Sequence, residues 1–136
     1  MAGNLSNYLE NKLIDHFLGT ASFTMPSTVY IALYTGSALT DASTGASPSP
    51  ATEVSGGSYS RKSATFSSAS SGSTTNNANI DFSGMPACTV TGIAVLDGNT
   101  AGAGNILVYG SLTSSKTLDA GDTLRISSGD LSISID

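Results

Sequence analysis

From Thr28 onward the chain is cut into short apolar or alternating runs, and Gly, Ser, Thr, Asn and Asp separate them. Runs this short suit pleated strands better than helices, and the turn-forming residues between them stop each strand before it grows long. The spacing predicts strands at Thr28–Tyr34, Tyr59–Phe66, Ala78–Phe82, Cys88–Leu96, Ile106–Leu112, Thr123–Ile126 and Leu131–Ile135. Thr28–Tyr34 is apolar at nearly every position, so both of its faces are expected to be covered. Gly92 interrupts an otherwise strong strand and marks a bulge or a close backbone approach. The last two strands are expected to pair as a hairpin. The fold class is therefore all-β, a small antiparallel sandwich or jelly-roll-like barrel.

One segment breaks the pattern. Leu5, Leu9, Leu13, Ile14, Phe17 and Leu18 recur at three- and four-residue spacings, which predicts an N-terminal amphipathic helix over 5–18. Asn4 or Ser6 is placed to cap its start, and Gly19 to end it in the left-handed conformation. A helix of about four turns is not stable alone. Its apolar stripe docks on its own domain, on a neighbouring subunit, or on both. His16 lies at the border of that stripe.

Residues 37–58 are rich in small polar residues, Gly and Pro. We expect a long loop pinned at Leu39 and Val54, either an arm toward a neighbour or a surface excursion. With 136 residues the chain is read as one domain, residues 1–136, with its β-rich body over 28–136.

Only 11% of residues are charged, against about 25% in an ordinary soluble domain. Weak mutual repulsion suits dense packing of identical copies. The net charge of −5 and the five Lys and Arg residues argue against a nucleic-acid partner, which requires a basic face. No apolar run approaches the ~20 residues of a membrane span, so no membrane partner is expected. Met1–Asn4 lacks the basic and apolar segments of a signal peptide.

Concentrated chemistry is also missing. His16 and Cys88 are the only imidazole and thiol, which disfavours zinc and leaves no intramolecular disulfide. Cys88 is expected to be buried and inert. Asp97, Asp119, Asp122 and Asp130 sit in turn contexts that account for them without a ligand. Asp119 with Asp122 lacks the remainder of a calcium loop. No phosphate-binding glycine pattern opens a helix. Tyr30, Tyr34, Tyr59 and Tyr109 fall in predicted strands, where packing accounts for them better than a sugar platform. We therefore expect no enzyme, no catalytic residue, no cofactor and no metal. Leu9, Leu13, His16, Phe17, Arg61 and Lys62 are the candidate subunit-interface residues, with Arg61 and Lys62 on opposite faces of a strand.

The segments Leu5–His16, Pro26–Tyr34, Glu53–Arg61 and Ala120–Leu124 together resemble a family of small tailed-bacteriophage proteins, whose members are often labelled hypothetical or tail-fibre proteins. The resemblance runs through nearly the whole chain. It implies a virion building block without enzymatic activity. Two placements follow from it. The first is a capsid decoration, or cement, protein on the capsid exterior, bound to the major capsid protein, homo-oligomeric and by preference trimeric. The second is a component of the tail or tail fibre. The single domain without a repetitive shaft favours the first. A small carbohydrate-binding sandwich is the non-viral alternative.

Overall fold

In the computed structural model, which describes residues 4–135, the chain starts with a two-residue strand, β1 (Asn4–Leu5), and one helix, α1 (Asn7–Phe17). Nine strands follow: β2 (Val29–Gly36), β3 (Ala51–Glu53), β4 (Lys62–Ala64), β5 (Ser73–Thr75), β6 (Ile80–Phe82), β7 (Cys88–Leu96), β8 (Ile106–Leu118), β9 (Leu124–Ile126) and β10 (Ser132–Ser134). All their pairings are antiparallel. The main sheet runs β1-β8-β7-β2-β3, and β4 joins β2 beside β3. Two ribbons, β5–β10 and β6–β9, complete a small sandwich. The expected all-β class with one helix is the observed one.

The two faces of β2 explain why its sequence is apolar throughout. Ile31 and Leu33 enter the main core with Val90, Ile93 and Val95 of β7 and Ile80 and Phe82 of β6. Ala32 and Tyr34 point the other way, into a second core with Ala94, Leu96, Ile106 and Tyr109. Burial of each large apolar side chain contributes roughly 1.5–3 kcal/mol, so the strand that feeds both cores is the most constrained in the fold.

The second core needs a cover, and residues 37–51 provide it. Leu39 and Ala51 are buried in that cluster, and Val54 is buried in the main one. The Gly45 amide donates to the Gly104 carbonyl at 3.0 Å, and the Asn7 amide donates to the Asp41 carbonyl at 2.9 Å. The Tyr109 hydroxyl donates to the Asp41 carboxylate. The Ser49–Pro50 peptide is cis. This segment is thus a lid on its own domain, pinned by its few apolar residues and by backbone hydrogen bonds.

Three further expectations change. Leu5 belongs to β1, where it pairs with Val108, and the helix starts only after the Ser6 cap. The last two strands do not form a hairpin: β9 pairs with β6 and β10 with β5. No strand is predicted between Phe66 and Ala78, yet β5 lies there. Asn76 fixes this arrangement. Its side chain donates to the carbonyls of Ala78 and Ser127, both at 2.9 Å, and accepts from the amides of Gly129 and Leu131 at 3.1 and 2.9 Å. A buried amide satisfied on both sides holds the turn before β10 to the end of β5.

Gly92 does sit at an irregularity. Between the pairs Val90–Lys116 and Gly92–Ser111, β7 advances two residues while β8 advances five. A Cβ at Gly92 would lie 3.4 Å from the Gly110 carbonyl oxygen, so the crossing strands approach closely there. Leu112–Ser115 of β8 consequently have no partner across the ladder.

Candidate assembly surface

The helix is built to dock at one end only. The Ser6 hydroxyl accepts from the Leu9 amide at 3.3 Å and donates to the Ile106 carbonyl, while the Ser6 amide donates to the Leu107 carbonyl at 3.0 Å. The cap therefore also anchors α1 on β8. Tyr8 and Leu9 pack against the main core. Beyond the second turn the apolar stripe loses contact. Leu13 is half-buried, but Ile14, Phe17 and Leu18 are 54%, 74% and 75% exposed. Met25, in the connector that follows, is 76% exposed. No residue of α1 is fully buried.

The connector holds this end in place. Gly19, at φ +73°, closes the helix, and its amide donates to the His16 carbonyl at 3.4 Å. The Thr20 hydroxyl donates to the Asp15 carboxylate at 3.0 Å. His16 Nδ1 accepts from the Phe23 amide at 3.2 Å, and Phe23 meets Tyr8 edge-on at 6.5 Å. His16 is thus a clasp between helix and connector, and its exposed ring borders the apolar patch.

The two cations on the list separate. Lys62 is half-buried on β4. Arg61 is inside the domain, with its guanidinium fully enclosed. It donates to Glu53 at 2.8 Å from two nitrogens and to the carbonyls of Gly98 and Ala103 at 2.9 Å. Burial works to lower its pKa, but the hydrogen bonds and charge of Glu53 outweigh that and raise it. The Tyr59 hydroxyl donates to Glu53 at 3.2 Å and accepts from the Leu33 amide at 3.0 Å. Arg61 is therefore taken up by contacts within its own chain. The inward turn of Tyr59 and Arg61 also shortens the expected strand to Lys62–Ala64 and leaves Tyr59 outside it.

A second feature lies at the other end of β8. The partnerless stretch and the end of β8 diverge from β9 after the turn at Asp119–Asp122, leaving a groove of about 510 Å³. Leu112, Leu118, Leu124 and Ile126 give it an apolar floor, and Thr113 and Lys116 stand on its rim. β9 pairs only with β6, so its other edge is open.

A family model described as podophage GP4 fiber I protein gp80 matches residues 4–134. The chain belongs to this gp80 fibre family. No curated protein matches it. The family places the chain among phage virion structural proteins, and its fibre description fits the tail-fibre placement better than capsid decoration.

Two of the turn aspartates of this gp80-family chain serve the fold. The Asp119 amide donates to the Asp122 carboxylate at 2.8 Å, and Asp97 accepts from the Asn105 amide and side chain at 2.7 Å. Among the described residues no three His, Cys, Asp or Glu side chains converge as a metal site. Cys88 is half-buried rather than buried, and burial pushes its thiol pKa up. Of the interface candidates, Leu9 faces inward, Leu13 is intermediate, and Phe17 and His16 lie on the exposed end. Ile14, Leu18 and Met25 complete that patch. Ile14 and Leu18 were visible in the helical stripe, whereas Met25 lies beyond the helix and carries no periodic signal.

Proposed function

We propose that the chain is a non-enzymatic structural component of the phage tail fibre, present in several copies and held by contacts between subunits. The fibre-family match over residues 4–134 carries this reading. Physical support comes from the combination of a low-charge domain and an apolar patch left open at the end of α1. Contiguous exposed apolar surface on a folded domain marks a site of association. Arg61, Glu53, Asp97, Asp122 and His16 are engaged in clamps and turns within the domain.

Its neighbours in this reading are other fibre subunits and a second copy of itself, not the major capsid protein. Capsid decoration is the second reading, favoured by the single sandwich without a shaft. Gold-labelled antibody against the chain, imaged on intact virions, separates the two. Label on the tail is the expected result. Label spread over the capsid shell would replace the fibre reading with decoration, and unlabelled particles would remove both.

A further inference from the structure

The exposed end of α1 and the groove beside β8 are two apolar surfaces on one chain. Four of the five large hydrophobic residues exposed among the described residues lie between Ile14 and Met25. Ile14, Phe17 and Leu18 continue the apolar stripe of α1 and Met25 follows in the connector; this exposed end is the knob. The groove is concave, apolar at its floor, and bordered by strand edges without partners. At about 510 Å³ it falls within the size of clefts that enclose drug-sized ligands, about 300–1,000 Å³. It therefore has room for two or three large side chains.

Charge agrees with shape. Glu10 precedes Ile14 by one turn and so borders the knob. Lys116 on the groove rim makes no ion pair among the described residues. The other charged residues there are Arg125, which binds Asp81 at 2.7 and 2.9 Å, and Asp130. The groove lining carries Lys116, Arg125 and Asp130, two positive charges and one negative, and the helix carries Glu10, Lys12 and Asp15, two negative and one positive, so the two surfaces attract weakly.

The two surfaces also sit apart. Tyr8, Phe23 and Pro26 of the knob side line a cleft with Leu107, near the start of β8. The groove lies against Leu112–Leu118, toward its end. We infer that the Ile14–Met25 knob of one copy seats in the β8–β9 groove of a second copy, joining copies head to tail. Such a contact uses two different patches. It closes into a ring where the rotation permits and otherwise extends as a filament. This deepens the fibre reading, from which it takes only the premise that several copies are present.

Two exposed substitutions test it. Phe17→Asp spoils the knob and leaves the groove intact. Thr113→Trp fills the groove and leaves the knob intact. Sedimentation of the purified full-length chain is expected to show assembly for the wild type and monomers for each variant alone. An equimolar mixture restores one junction, from the Thr113→Trp knob to the Phe17→Asp groove, and gives a species of twice the monomer mass. Wild type that stays monomeric, a variant that assembles like wild type, or a mixture that remains monomeric each overturns the inference. Circular dichroism verifies folding of both variants, and Lys116→Glu replaces Thr113→Trp if the latter misfolds. A monomeric wild type whose antibody nevertheless labels the tail would sink the knob-in-groove contact alone and leave the fibre reading standing.

Discussion

Arg61 and Glu53 form a two-point ion pair inside the sandwich, Nε to Oε1 and Nη2 to Oε2, both at 2.8 Å. The same guanidinium grips the 98–103 loop through two carbonyls. Opposite charges this enclosed hold each other because water reaches the carboxylate only slightly and the guanidinium not at all. Removing one member leaves the other buried and unpaired, at a cost of about 3–5 kcal/mol. Arg61→Ala is therefore expected to lower the urea-unfolding free energy by about that amount. Arg61→Met with Glu53→Leu should recover most of the loss. A single mutant within about 0.5 kcal/mol of wild type would show that the pair does not clamp the loop.

Asn76 is expected to be nearly as sensitive. Its four side-chain hydrogen bonds connect the end of β5 to the turn before β10. Each buried partner left unmet costs about 1–3 kcal/mol. Asn76→Leu should destabilise the domain by more than about 2 kcal/mol and accelerate amide exchange at Leu131 ahead of β7, while Gly129 keeps the Asn76 backbone carbonyl as an acceptor. Unchanged exchange at Leu131 would count against this role.

The glycines Gly45 and Gly98 make a contrasting pair. A Cβ at Gly45 would lie 2.1 Å from the Ala103 carbonyl oxygen, whereas one at Gly98 meets nothing within 4 Å. Gly45→Ala must push the lid away from the 97–105 loop, and we expect a cost of about 1–3 kcal/mol. Gly98→Ala is expected to stay within about 0.5 kcal/mol. Thermal melts of the two variants compare them directly.

Alkaline pH should loosen the fold through its tyrosines. Burial, with help from Asp41, pushes Tyr109 up to about 12, and burial raises Tyr34 and Tyr59 further. Unfolded tyrosines lose their protons near pH 10, while these three keep theirs in the fold. The folded state then binds more protons, so stability falls as pH rises above about 10. Tyrosinate absorbance should accordingly show three of the five tyrosines titrating late, together with unfolding. Five equivalent titrations near pH 10 in a folded chain would refute it.

Local patterns revealed the elements better than their partners. Cys88–Leu96 is the strand that alternation and β-branching predict, and the two-sided burial of β2 follows from its unbroken apolar run. The helix ends within two residues of its expected bounds because cap and glycine chemistry is local. Pairing is not local. β9 follows β8 and precedes β10 by equally short connections but binds β6, since Leu124 and Ile126 extend the core row of Ile80 and Phe82. Nor does any short-range signal tell that Arg61 turns inward, because its partner Glu53 lies across an irregular segment. The assembly surface was half legible. The helical stripe named Phe17, but only the packed structure shows that the stripe outruns its support.

Ser6 hydrogen-bonds to Ile106, exactly one hundred positions along the chain, and β1 pairs only with Val108 and Tyr109. On the ribosome, α1 therefore emerges early and waits for its seat until β8 has been made. Throughout that interval both sides of its apolar stripe face the cell. Completing the fold withdraws Leu9 and leaves Phe17 outside, so the finished chain keeps part of the stickiness of the nascent one.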